Sequence, residues 1–370
     1  MFNIKGEGLQ QVVQGITNGA KKAKLKEARV FVSSKEENIV KFYFVGEELQ
    51  VEKTLECETT EIFQFATTIQ EIETKVGALP DSEIISVVKE GDKVLLKWGR
   101  SSNIRMDILP ELSPEIEIPI AVDKVTWLPG KLHMLAKTLP PFAAVSNSEV
   151  ANSHPVLRGL YFGKEESGAV IVRATNRALA VTVNAIGIDW FEGLFCSIPI
   201  DTILGLLEIL PSDSEITVSL NEEKTLLVFE AGYTKAVSRI LSGDFPAIDN
   251  SFLTSKTANT IWRVDRLQLL ETARRIKRVG PRPGTPAMIF RTESSKAFVE
   301  LAGVLVEQIG ASVEGDAIRF VVNSDYLETV LTLHRSEEVL LYVKASDAAI
   351  TVLDDSEVND IRVLVSPMLG

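Results

Sequence analysis

Asp213-Ser214-Glu215-Ile216 opens an apolar run that reaches Phe229, and nearly the same block occurs twice more. Asp81-Ser82-Glu83-Ile84 heads the run to Trp98, and Ser336-Glu337-Glu338-Val339 heads the run to Leu353. The glutamates at 83, 215 and 338 stand 132 and 123 residues apart. Each block follows a segment with helical apolar spacing. Ile62, Phe65, Ala66 and Ile69 sit at i, i+3, i+4, i+7, as do Ile203, Leu206, Leu207 and Leu210. Tyr326, Leu327, Val330, Leu331 and Leu333 keep such a face less cleanly. A repeat this long exceeds any solenoid period and matches a small domain. The chain therefore reads as three tandem copies, residues 1–118, 119–248 and 249–370.

Each copy opens with a short helix. Gly8 to Thr17 carries Leu9, Val12, Val13 and Ile16 on one face, and Pro129 to Lys137 turns Leu132, Leu135 and Ala136 inward. The third starts at Asp265, a good N-cap, and is expected to bury Leu267, Leu270 and Ile276. Alternating segments fill the space between the helices: Arg29 to Val45 reads as two strands turned at Glu36-Glu37-Asn38, and Gly159 to Gly187 reads the same way. Two helices and roughly eight short strands per copy make an α+β domain. Pro110 to Pro119, with three prolines, and the turn-rich Gly243 to Thr257 are the linkers. Sheet edges must be paired or covered. Three sheet domains in a row can pair edge to edge, and the two outer edges are best satisfied by a second copy closing a symmetric ring.

Composition is that of an ordinary globular protein, 45% apolar and 24% charged. No apolar leader precedes Lys26, and the longest apolar stretch, Ala169 to Trp190, is broken by Arg173, Asn176, Arg177 and Asn184. A cytoplasmic protein with no membrane partner is expected. Cys57 and Cys196 read as buried thiols rather than a disulfide framework. The net charge of −12 argues against a simple nucleic-acid binder. Its distribution argues differently, because Lys21, Lys22, Lys24 and Lys26 cluster after the first helix, and Arg274, Arg275, Lys277, Arg278 and Arg282 cluster near the end of another.

The sequence offers little sign of catalytic chemistry. His133, His154 and His334 lack metal-ligand spacing. Gly280-Pro281-Arg282-Pro283-Gly284 has prolines where a phosphate loop needs N–H donors. No serine sits in a nucleophile elbow, and Asp354-Asp355 lies in a charged loop. A triplicated scaffold without such a site favours binding over catalysis, and no cofactor is expected.

Five stretches then carry a resemblance. Ser238-Arg239-Ile240-Leu241-Ser242-Gly243-Asp244-Phe245-Pro246, Trp98-Gly99-Arg100-Ser101 with Ile104-Arg105-Met106, and Val322-Asn323-Ser324-Asp325-Tyr326-Leu327 are three of them. The others are Asp265-Arg266 with Leu269-Leu270-Glu271 and Arg274-Arg275-Ile276, and the closing Val365-Ser366-Pro367-Met368. In order and spacing they resemble the bacterial DNA polymerase III β sliding clamp, the processivity factor of the replicative polymerase, with this chain a divergent member. The resemblance implies the DNA clamp fold and a head-to-tail homodimer of six domains around double-stranded DNA, held without sequence readout. It implies a non-catalytic subunit that tethers the polymerase catalytic subunit, the clamp loader and other proteins through short clamp-binding peptide motifs.

Carried over residue by residue, the resemblance puts Lys21, Lys22 and Lys24 against DNA, with Arg274, Arg275 and Lys277 as further candidates. It puts Ile104 and Met106 at the dimer interface opposite Val279. The peptide pocket would use Leu157, Thr175, Leu179, Pro246, Phe252, Leu364, Pro367 and Met368, with Asn323, Tyr326 and Ser346 beside it. Two departures fall at that pocket. Where the family has Ala-Thr-Asp-Gly-His-Arg-Leu-Ala, this chain has the shorter Ala174-Thr175-Asn176-Arg177-Ala178-Leu179-Ala180, and it ends in Leu369-Gly370. An altered partner preference follows, as in a phage- or plasmid-borne clamp or a divergent lineage. A monomeric clamp-like adaptor that binds peptides without encircling DNA is the alternative, and an enzyme with a site between copies is a more distant one.

Overall fold

The computed structural model describes residues 2–25, 28–110, 118–281, 286–294, 296–355 and 360–368. One element order recurs three times: a strand, a helix, four strands, a helix and three strands. The first round is Phe2–Lys5, α1 (Gly6–Lys22), Arg29–Glu36, Ile39–Val45, Leu49–Glu56, Phe63–Thr68, α2 (Ile69–Gly77), Ile84–Glu90, Lys93–Trp98 and Ser102–Asp107. The second is Ala121–Trp127, α3 (Lys131–Thr138), a short α4 (Glu149–Ser153), Gly159–Lys164, Val170–Thr175, Leu179–Asn184, Cys196–Pro199, α5 (Ile200–Ile209), Ile216–Asn221, Leu226–Ala231 and Thr234–Arg239. The third is Thr260–Asp265, α6 (Arg266–Val279), Ala287–Glu293, Lys296–Leu301, a strand broken at Gly310 into Leu305–Ile309 and Ala311–Gly315, Phe320–Asn323, α7 (Ser324–Leu333), Glu338–Val343, Ile350–Asp354 and Ile361–Val365.

The recurring sequence block now has a structural reason. In each round the opening strand pairs antiparallel with the strand that the block begins, through Lys5↔Ile84, Trp127↔Ile216 and Asp265↔Glu338. The turn ahead of that strand then offers a carbonyl to the start of the opening helix. Gly6 N–H donates to Glu83 O at 2.9 Å, Gly130 N–H to Ser212 O at 3.0 Å, and Arg266 N–H to Glu337 O at 2.9 Å. These bonds satisfy amides that have no partner inside the helix. Gly6 is required there, since a Cβ would sit 2.0 Å from Pro80 O.

The chain divides into two compact units, one of residues 1–137 and 187–241 and the other of residues 138–186 and 242–370. In the first, an antiparallel sheet runs Phe63–Thr68, Arg29–Glu36, Ile39–Val45, Leu49–Glu56, Thr234–Arg239, Leu226–Ala231, Ile216–Asn221, Ala121–Trp127. Leu49–Glu56 and Thr234–Arg239 join two copies into that single sheet. A smaller sheet runs Phe2–Lys5, Ile84–Glu90, Lys93–Trp98, Ser102–Asp107, and α1 packs against both α2 and α5. In the second unit the strands Gly159–Lys164, Val170–Thr175, Leu179–Asn184, Ile361–Val365, Ile350–Asp354, Glu338–Val343, Thr260–Asp265 and Ala311–Gly315 follow in that order. A four-stranded sheet runs Leu305–Ile309, Lys296–Leu301, Ala287–Glu293, Phe320–Asn323. Trp262, Phe290 and Phe320 fill this unit's core, with Trp262 edge-on to each of the other two rings at 5.6 Å.

Several sequence expectations are corrected. Ile62 to Ile69 is not a helix: Phe63–Thr68 is a strand paired with Arg29–Glu36, and Ile62 is 80% exposed. The helix begins at Ile69, where Thr68 Oγ1 accepts from Glu71 N–H at 3.1 Å. Asp265 does cap α6, accepting from Gln268 N–H at 2.7 Å, but Leu267 is 57% exposed, and Leu269, Leu270, Ala273 and Ile276 are the buried residues, on the side that packs against α7 and neighbouring strands. Most of the Pro110 to Pro119 linker, Lys26, Arg282 to Gly284 and the Leu369-Gly370 terminus lie outside the described residues. Among the described residues no helix is long and apolar enough to cross a membrane.

Candidate functional site

An apolar groove of about 450 Å³ opens in the second unit. Its lining combines strand residues such as Leu179, Ala180 and Leu364 with residues of short helical turns such as Leu157 and Ile248. Ala180, Ile248 and Leu364 form one buried cluster, and Ala144, Ala151, Val156 and Leu157 form another. Phe245 packs against both and stacks on Tyr161 at 4.6 Å, so the Asp244-Phe245-Pro246 segment becomes one wall. The linker tightens into a short helical turn at Ile248–Ser251 and supplies Ile248 and Ser251 to the lining.

The shortened turn that departs from the family pattern makes the opposite wall. Arg177 takes φ +74°, a left-handed conformation unusual for a residue with a side chain. Local bonds hold it there. Thr175 Oγ1 donates to Leu179 O at 2.8 Å and accepts from Arg177 N–H at 3.1 Å. Asn176 Oδ1 accepts from Ala178 N–H at 3.0 Å and Leu179 N–H at 2.8 Å. Ser366 anchors the same turn, its N–H donating to Ala178 O at 2.8 Å and its hydroxyl to Arg177 O at 3.2 Å. The guanidinium of Arg177 is aimed at His154, with Nη2 2.9 Å from Nδ1. The lining is thus mostly apolar, with Arg177, His154 and Asp244 as its ionisable members. Such a groove suits a short apolar segment carrying a few polar groups.

Of the pocket residues expected from sequence, Leu157, Thr175, Leu179, Pro246 and Leu364 come together in this lining. Phe252 packs against the Ile248 cluster, with the Arg362 guanidinium 4.9 Å above its ring. Asn323, Tyr326, Ser346, Pro367 and Met368 are not in the lining. Asn323 instead caps α7 through Asp325 N–H at 2.8 Å, and Met368 N–H donates to Val321 O at 2.8 Å. The sequence reading missed His154, Phe245, Ile248 and Ala349. Only Phe245 had a signal, its place beside Pro246.

The basic clusters are engaged within the chain. Lys21 Nζ lies 2.6 Å from Glu73 Oε2, and Lys24 Nζ lies 3.0 Å from Asp201 Oδ1, while Lys22 is exposed. Arg274 pairs with Glu328 at 3.0 Å, Arg275 with Glu307 at 2.5 Å, and Lys277 with Asp325 at 2.9 Å and Glu328 at 3.1 Å. Hydrogen bonds to Asp325 and Glu328 push the Lys277 ammonium above its usual range. Burial would raise Glu328, but hydrogen bonds from Lys277 and Arg274 outweigh it and hold the carboxyl below its usual range.

Two sheet edges lie outermost in their own small sheets, Ser102–Asp107 in the first unit and Leu305–Ile309 in the second. On the first edge Ile104 is half-buried, whereas Met106 is 1% exposed and belongs to that unit's core. Val279, at the end of α6, is exposed, as are Val304 and Val306 beside the second edge. Among the described residues no group of His, Cys, Asp and Glu has the arrangement of a metal site.

No protein-family model and no curated protein matches the sequence. Solved structures do. The DNA polymerase III β subunit of Pseudomonas aeruginosa superposes with a TM-score of 0.85 at 18% identity, over 100% of this chain and 99% of that one. The β subunit of Thermotoga maritima gives 0.85 at 17% identity with the same coverage. The sliding clamp of Bartonella birtlesii, solved bound to griselimycin, gives 0.85 at 16%, again over 100% and 99%. From its first strand to its last, this chain has the fold of the DNA polymerase III β sliding clamps.

Proposed function

We propose that this protein is a DNA sliding clamp, a non-catalytic processivity factor that works as a head-to-tail homodimer around duplex DNA. The observation that carries the reading is the full-length superposition at TM-scores of 0.82–0.85. The three rounds of elements correspond to domains 1–118, 119–248 and 249–370, six in the dimer. Support for closure comes from the edges. Among the described residues, Ser102–Asp107 and Leu305–Ile309 each have a strand neighbour on one side only, and pairing one with the other across two chains would cover both edges. Alternating the two edges around a twofold axis closes the ring. Ile104 and Val279 then lie in or beside the contact.

Cations on the first and third domains, among them Lys21, Lys22, Lys24, Arg274, Arg275 and Lys277, meet phosphates and read no bases, which is what sliding demands. The 450 Å³ groove receives short peptides from the polymerase, the clamp loader and other replication or repair proteins in the cytoplasm. Its Arg177 turn is the feature most apt to alter which peptides fit. Light scattering coupled to small-angle scattering tests the reading. A mass twice the 40.7 kDa of one chain, with a distance distribution showing a central hole, is expected. A 40.7 kDa species at micromolar concentration would replace the ring with the monomeric adaptor.

A further inference from the structure

The cations offered to DNA are already spoken for. On α1 and the turn after it, Lys21 is held by Glu73 of α2 and Lys24 by Asp201 in the first turn of α5. On α6, Arg274 and Lys277 stand three residues apart and interlock with Asp325 and Glu328, three apart on α7. Three contacts, α1 with α2, the turn after α1 with α5, and α6 with α7, therefore repeat one arrangement, in which a neighbouring helix presents a carboxylate to the basic segment. Among the described residues Lys22 pairs with no carboxylate. The cation of each pair is about half-exposed and so within reach of a phosphate, and the Lys21–Glu73 pair is open to water on both sides, the kind of ion pair that is weak and readily exchanged.

We propose that Glu73, Asp201, Asp325 and Glu328 act as internal phosphate substitutes, occupying Lys21, Lys24, Arg274 and Lys277 until a duplex takes them over. The inference rests on the sliding-clamp reading. A cation that keeps a carboxylate beside it brings less net positive charge to the duplex, so fewer of the counterions condensed on the DNA are released. Net counterion release, and with it the salt slope, falls below what the number of basic residues implies. The exchange between two similar anions also leaves no deep minimum along the duplex, which lowers the barrier to sliding.

Fluorescence anisotropy of a 30-base-pair labelled duplex, titrated with the intact dimer from about 50 to 200 mM salt, tests this. Glu73→Gln and Glu328→Gln alter partly exposed carboxylates, and Glu73→Gln/Asp201→Asn frees both lysines of the first cluster. Each freed cation that reaches a phosphate should steepen the slope of log K against log salt by about 0.9, or about threefold more loss of affinity over that range, and should tighten binding at the low-salt end. Unchanged affinity and slope in all three variants, with the wild-type protein binding normally, overturns the proposal and leaves the clamp reading standing. Failure of wild-type and variant dimers alike to bind duplex at 50 mM salt overturns both.

Discussion

Asp354 shows how much one side chain can organise. His334 at the end of α7 is buried, its Nδ1 3.2 Å from Asp354 Oδ2, and the backbone amides of Arg335 and Ser336 lie 3.3 and 3.2 Å from Oδ1. Burial would raise this carboxyl, yet hydrogen bonds from His334 and Ser336 hold it far below the usual range. A depressed carboxyl stabilises the fold above its unfolded value of about 3.9, and that contribution is lost as pH falls below it. Asp354→Asn should therefore unfold about 1–3 kcal/mol more easily in urea at pH 7, and its stability should fall less than the wild type's between pH 5 and 3. Parallel pH curves would show that the turn does not depend on this charge. The thiols give a simpler test. Cys196 is buried as expected, whereas Cys57 is only half-buried, and desolvation pushes Cys57 up to about 11 and Cys196 up to about 12. Native protein at neutral pH should react with a disulfide reagent far more slowly than protein in urea, which should release two thiols.

At the scale of elements, the contact between α1 and α5 is set by two glycines. A Cβ on Gly205 would come 3.0 Å from Gly19 O and 2.9 Å from a Leu49 methyl, and one on Gly19 would run into the Ile209 side chain. Alanine ordinarily favours a helix over glycine by about 1 kcal/mol. Here the closeness of backbone to backbone reverses the sign, so Gly205→Ala should lose about 1–2 kcal/mol in chemical unfolding. Gly77→Ala, where nothing lies within 4 Å, should be neutral or stabilising. Equal behaviour of the two variants would mean that the helices can part without loss. Neither glycine was singled out in the sequence, because a close helix crossing leaves no periodic mark. Apolar periodicity did reveal α1, α5 and α7. It failed at Ile62–Ile69, where four residues fit the helical spacing while ladder bonds to Arg29–Glu36 decide for a strand. At Asp265 the cap was legible, but the face of α6 that packs, with Leu269, Leu270, Ala273 and Ile276 inward and Leu267 outward, is set by α7 and the neighbouring strands.

For the whole molecule, the threefold repeat was legible because every copy must solve the same problem, docking an opening helix on the turn before a buried strand. The groove was legible only through the resemblance, and only for residues on the strands and linker that carry family motifs. Ala349 and His154 reach it from a turn and a short helical segment whose positions depend on packing between distant parts of the chain. The proposed ring closure would likewise join surfaces far apart in sequence, and it can be tested at one residue. Val306 is 62% exposed on the outer strand Leu305–Ile309, so Val306→Lys adds a charge to water in the single chain and should leave the unfolding transition of the domains unchanged. In a dimer sealed by that edge, the lysine must be desolvated beside Ser102–Asp107 of a second copy, where Arg105 already stands. The variant should therefore dissociate at protein concentrations at least tenfold above those that dissociate the wild type, as read by light scattering across a dilution series. A dimer as tenacious as the wild type would place the contact on another surface and remove this edge from the closure of the ring.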